Sequence, residues 1–148
     1  MLLKVKFLGF FLLLASTAIF AQTNSDWTPI GLTANGRNIQ NGVEAYYQLS
    51  QCGDMNVVFL KFVNTNSYNI IVDWNDAVFT QQHTWAVNQK GDRRKTLVIG
   101  KHKTIFGDCQ NAGVQKDLII NVRDFIGDID QFSSFKLASF NVSSKKSK

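Results

Sequence analysis

From Val43 to Asn64 the chain reads VEAYYQLSQ, then CGDM, then NVVFLKFVN. Val43, Ala45, Tyr47 and Leu49 alternate with Glu44, Tyr46, Gln48 and Ser50, and in the second run Val58, Leu60 and Phe62 share one parity. A period of two sends successive side chains to opposite faces of extended backbone, so each run reads as a half-buried strand. The CGDM stretch (Cys52 to Met55) supplies a tight turn between them, and the two runs are expected to form a hairpin.

The same pattern continues. A polar turn, NTNSYN (Asn64 to Asn69), leads to IIVDW, in which Ile70, Val72 and Trp74 oppose Ile71 and Asp73. Trp74 is therefore expected in the core and Asp73 in solvent, with Asn75 and Asp76 turning the chain before a short extended piece, AVFTQ (Ala77 to Gln81). KTLVIG (Lys95 to Gly100), DLIINVRDF (Asp117 to Phe125) and FKLASFNV (Phe135 to Val142) complete the strands. No segment carries a helical stripe with caps, and glycines punctuate the loops. The expectation is an all-β fold, an immunoglobulin-like antiparallel β-sandwich of about seven strands, occupying residues 22 to 142 as one domain.

The ends of the chain differ from this body. Lys4 and Lys6 precede an apolar run, Phe7 to Phe20, that closes on small residues at Ala18 and Ala21. Residues 1 to 21 read as a secretory signal peptide cleaved after Ala21, with Ala18 as the alternative. The run is short for a membrane span, and no second one follows. Residues 143 to 148, ending SSKKSK, are expected to be a disordered basic tail. The formal charge of +5 resides entirely in Lys4, Lys6, Lys145, Lys146 and Lys148, so residues 22 to 144 are formally neutral. A neutral body argues against nucleic acid as a partner. In an exported chain the two cysteines, Cys52 and Cys109, are expected to form one disulfide.

The stretch CGDMNVVFLKFVNTNSYNIIVDWNDAVF resembles the hairpin and tryptophan-bearing strand of small secreted bacterial β-sandwich proteins of unknown function, and AIFAQ resembles the export junctions of the Bacteroidetes type. That resemblance implies a secreted sandwich and brings no catalytic residues with it. The immunoglobulin family proper is a poorer match. It shares the order Cys52, Trp74, Cys109, but QCGD and GDCQ set both cysteines beside turns, and Gly107 stands where a corner tyrosine would.

Few residues invite chemistry. His83 and His102 lie in no metal-binding or nucleophile motif, Glu44 is the only glutamate, and bridged cysteines cannot be nucleophiles. No cofactor is expected. Trp27 and Trp85 sit in polar contexts and are candidate sugar-stacking residues. Arg93, Arg94 and Lys95, with Lys90, Lys101 and Lys103 nearby, form a basic stretch that could meet an anionic polysaccharide, lipopolysaccharide or an acidic partner, or else protect a strand edge. Asp124, Asp128 and Asp130 are a conceivable calcium cluster, Asp128 and Asp130 sharing a strand face, although the spacing fits no known loop. The expectation is an exported, non-enzymatic binding or accessory protein whose partner is a protein or an envelope polysaccharide. A carbohydrate-binding module is the first alternative and a small hydrolase the second.

Overall fold

The computed structural model describes residues 26–86, 88, 93–110, 113 and 115–145. The signal-peptide reading of residues 1–21 lies outside them. Among the described residues ten strands form: β1 Thr28–Pro29, β2 Ile39–Gln40, β3 Val43–Cys52, β4 Met55–Asn64, β5 Ile70–Thr80, β6 Trp85–Ala86, β7 Lys95–Ile99, β8 Thr104–Phe106, β9 Ile119–Asn121 and β10 Phe132–Ser144. Several short strands share a lane, because β1 and β2 both pair with β3, β8 and β9 with β4, and β6 and β7 with β5. The result is seven lanes in two antiparallel sheets, four in the first (β1/β2, β3, β4, β8/β9) and three in the second (β10, β5, β6/β7). This is the two-layer all-β sandwich that the periodicity predicts. Counted along the chain, lanes one, two, three and six make one sheet and lanes four, five and seven the other. That grouping differs from the order of the immunoglobulin constant domain, in keeping with cysteines placed at turns.

Backbone chemistry sets the hairpins. Between Cys52 and Met55 the first turn residue, Gly53, has φ +59°, and between Gln40 and Val43 both turn residues are left-handed, Asn41 at 48° and Gly42 at 72°. An Asn-Gly pair suits such a turn because it tolerates positive φ, and its twist matches that of the strands. Gly42 is constrained a second way, since a Cβ there would lie 2.5 Å from the Asn66 side chain. Asn64 organises the end of the hairpin from inside. It is 1% exposed, its amide donates to the carbonyls of Tyr68 and Gly100, and its oxygen accepts from the Asn66 backbone. A buried amide is tolerated there because both of its ends are satisfied.

The core lies between the sheets. Val43 and Ala45 of β3, Val58, Leu60 and Phe62 of β4, and Ile70, Val72, Trp74 and Val78 of β5 are all fully buried, and Phe135 and Leu137 of β10 join them. On β4 the opposite parity is also closed to solvent: Val57 is 2% and Phe59 7% exposed, yet neither belongs to the inter-sheet cluster. Cys52 shares the outward parity of Glu44, Tyr46, Gln48 and Ser50, and its disulfide to Cys109 draws the segment after β8 across this outer face. The disulfide predicted from composition is therefore present, and it ties an edge segment to the tip of the central hairpin. Opening it, by Cys52→Ser with Cys109→Ser, is expected to lower unfolding free energy by about 2–4 kcal/mol, measurable by urea denaturation. A loss below about 0.5 kcal/mol would mean that the crossing segment is held without it.

Three boundaries depart from expectation. β5 does not turn at Asn75 and Asp76 but runs unbroken to Thr80, because β10 pairs with it along both halves. The stretch Asp117 to Phe125 is not one strand: 3-10 turns at Lys116–Leu118 and Val122–Asp124 flank the three residues of β9. Finally, β10 continues through Ser144, and the Lys145 N–H donates to the Asn69 carbonyl, so order extends past the boundary drawn at residue 142. Of the basic tail, residues 146–148 lie outside the described residues.

Candidate functional site

Because β5 continues, Asp76 keeps the inward parity of Trp74 and Val78. Lys95 likewise shares the inward parity of Leu97 and Ile99 on β7. The two meet inside the sandwich edge, with Lys95 Nζ 2.6 Å from Asp76 Oδ2 and side-chain exposures of 15% and 6%. Trp74 Nε1 donates to Asp76 Oδ1 at 2.9 Å, and Lys95 Nζ also donates to the carbonyl of Asp117 at 2.9 Å. Burial pushes the Asp76 carboxyl above its ordinary value, opposed by the Lys95 charge and by the hydrogen bonds from Lys95 and Trp74, while Asp117 adds to the rise. This network closes the sandwich edge, linking β5 and β7 of the second sheet to the 3-10 turn before β9 of the first.

Lys95 is accordingly not part of an exposed basic face. The basic stretch is divided further, because Arg93 and Arg94 lie before β7 whereas Lys101 and Lys103 belong to the turn after it. Lys90 lies outside the described residues. Arg93 and Arg94 reach the rim of a groove of about 350 Å³ above the Lys95–Asp76 pair, where Lys116, Asp117 and Asp124 also line the wall. Groups of both signs alternate there, which weakens any single-sign field. Arg94 faces Asp73 at 3.9 Å.

The two candidate tryptophans occupy different sheets. Trp27, just before β1, lies over the outer face of the first sheet, edge-on to Phe106 at 6.3 Å and 4.6 Å from Lys61 Nζ. Tyr46 takes the same ammonium at 4.4 Å and donates its hydroxyl to Glu44 at 2.6 Å. Desolvation lowers the Lys61 pKa, and the Glu44 charge opposes the change. Trp27 thus serves this sheet as a cover, engaged with a cation and a ring.

Trp85 projects from the outer face of the second sheet and is 48% exposed. Phe79, its cross-strand partner, supports it at 4.7 Å, and Lys136 Nζ stands 4.9 Å from the indole centroid. Register places the rest of this face. Lys136 is opposite Ala77, Ala138 opposite Asn75, Thr96 opposite Asp73 and Val98 opposite Ile71. Thr96 Oγ1 donates to Asp73 Oδ1 at 2.6 Å. From Phe79 to Asp73 the face spans about 20 Å of strand, by three lanes about 10 Å across.

His83 and His102 are exposed and occupy left-handed turn positions, at φ 59° and 51°. They lie in different turns, one between β5 and β6 and the other between β7 and β8. Neither lines the groove above the Lys95–Asp76 pair. Asp128 does not share a strand face with Asp130. It caps the 3-10 turn Ile129–Gln131 by accepting from the Asp130 N–H, and Asp124 ends the preceding 3-10 turn. Among the described residues no three of His, Cys, Asp or Glu converge as a metal site, and no helix is long and apolar enough to cross a membrane.

The inward pair of Asp76 and Lys95 is the feature that sequence reasoning missed. Its signal was present, since Lys95 keeps step with Leu97 and Ile99, and Asp76 keeps step with Trp74 once the strand is allowed to continue. Searches against family models, curated proteins and solved structures find no match to this chain.

Proposed function

We propose that this is an exported, non-enzymatic binding protein that engages a protein or a cell-envelope component through the outer face of its second sheet. The observation that carries the reading is the Trp85 platform on that face, an indole 48% exposed, backed by Phe79 and flanked by Lys136, with Thr96 and the half-exposed Val98 further along. The first sheet also exposes Met55 and Phe106 on its outer side, but its tryptophan, Trp27, is already engaged with Lys61 and Phe106. An uncovered face with aromatic, apolar and cationic groups is how a sandwich meets a partner without chemistry. Export rests on the apolar leader after Lys4 and Lys6, and the disulfide between Cys52 and Cys109 suits an oxidising compartment.

Site-specific photocrosslinking in the native host tests the face. A photoreactive residue at position 96 is expected to yield a discrete adduct, whereas one at position 104, on the first sheet, yields none. Equal adducts from both positions, or none from either, would remove the support for this surface. A carbohydrate ligand is the second reading, favoured by the half-exposed Trp85 ring on Phe79.

A further inference from the structure

We propose that the outer face of the second sheet binds an acidic polysaccharide, a uronate ring resting against the Trp85 indole with its carboxylate on Lys136. The proposal rests on the reading of this face as the binding surface and adds the ligand class. A neutral sugar faces a difficulty at Trp85. Phe79 lies against the indole at 4.7 Å, and the Lys136 ammonium stands 4.9 Å from its centroid. A neutral pyranose stacking there must displace a cation from the ring and offers that cation no replacement. A uronate offers both, since its C–H face takes the ring while its carboxylate takes the ammonium, so the cation–π contact is exchanged for a charge-assisted hydrogen bond.

The charge pattern agrees. Lys136 makes no ion pair with a described residue, whereas Asp73, the acid on this face, is already held by Thr96 and faces Arg94. The positive groups at Lys136 and Arg94 therefore flank the platform with one engaged acid between their rows. Ala77 sits opposite Lys136 and next along the face from Phe79, and its small side chain leaves a shallow step beside the indole. A chain laid along β5 would meet the ring at one end and Thr96 with Asp73 at the other. Hydroxyl, carboxylate and guanidinium groups there are suited to sugar hydroxyls.

The test uses the purified protein in affinity electrophoresis and tryptophan fluorescence against polygalacturonate, neutral dextran and dextran sulfate. Expected are retardation by polygalacturonate that weakens with added salt, little retardation by dextran, and a shift in emission. Trp85→Ala is expected to weaken polygalacturonate binding about tenfold. Lys136→Gln is expected to reduce binding several-fold and to erase the preference for the acidic over the neutral polymer. Circular dichroism and intact disulfide confirm folding of each variant, and Trp85→Phe, which keeps a ring, is expected to recover part of the binding.

Equal binding of dextran and polygalacturonate, unmoved by Lys136→Gln, overturns the acidic class. Equal retention on dextran sulfate that survives Trp85→Ala marks general polyanion adhesion through other basic groups, and also overturns the proposal. If no polymer binds while position 96 still crosslinks to a protein, the ligand class falls and the binding face stands. If neither occurs, the face itself is wrong.

Discussion

Lys95→Met is expected to cost about 3–5 kcal/mol of unfolding free energy, because it leaves the Asp76 carboxylate inside the sandwich edge without its countercharge. The substitution keeps most of the aliphatic stem, so packing along the edge changes little while the 2.6 Å contact to Asp76 and the 2.9 Å bond to the Asp117 carbonyl are both lost. Adding Asp76→Asn to the same chain is expected to restore most of the loss. The second change removes the charge and retains an oxygen for Trp74 Nε1. Urea unfolding at neutral pH measures both, and a loss below about 1 kcal/mol for Lys95→Met would show that the pair behaves like an exposed one.

The pH dependence has a definite sign. The folded pKa of Asp76 lies above the ordinary aspartate value of 3.8, so its linkage contribution is fully present below 3.8 and is lost as pH rises through the folded value. Lys95→Met removes the countercharge and a hydrogen bond that hold this pKa down, and so moves the folded value further up. The deficit of the variant relative to the parent should therefore shrink as pH falls from neutral into the acidic range. A deficit that grows on acidification would contradict the assignment.

Trp74→Ala is expected to cost a further-ranging loss of about 3–5 kcal/mol, since the indole is fully buried and its removal leaves a cavity against Phe62, whose ring centre is 5.1 Å away. Trp74→Phe separates packing from hydrogen bonding. It keeps an aromatic ring but removes the donor to Asp76 Oδ1, and about 1–3 kcal/mol is expected for that loss. Thermal unfolding of the two variants side by side distinguishes the contributions. Equal losses from Ala and Phe would place the whole effect in the hydrogen bond.

The long strands were legible because each carries enough alternating positions to define a face. Val43 to Tyr47, Val58 to Phe62 and Ile70 to Trp74 keep the inward parity that they have in the sequence, whereas Leu49, read onto the same face as Val43, is 42% exposed near the end of its strand. The Cys52–Cys109 disulfide followed from cysteine count and the leader. Strands of two or three residues, such as β1, β2, β6 and β8, are too short to show a period, and they owe their existence to neighbours that need an edge partner. Asn75 and Asp76 read locally as a turn because these residues compete with strand backbone. What keeps them extended is distant: β10 alongside, and Lys95 to neutralise Asp76. Trp27 and Trp85 looked alike in sequence. Only the crossing of the first sheet by Trp27, to reach Lys61 and Phe106, separates the covered ring from the open one.

The thirteen residues of β10 form one rim of the second sheet, and β5 is their partner along a single side. Register shifts between Phe132 and Ser134 and between Ala138 and Asn141, with Ser139 left-handed at φ 52°, interrupt that rim. The uninterrupted stretches are Ser134 to Ala138 and Asn141 to Ser144. Each is shorter than the six or so residues that stacked copies need to zip into a fibril. A second molecule arriving side-on at this rim meets a broken template, which disfavours edge-to-edge pairing through β10.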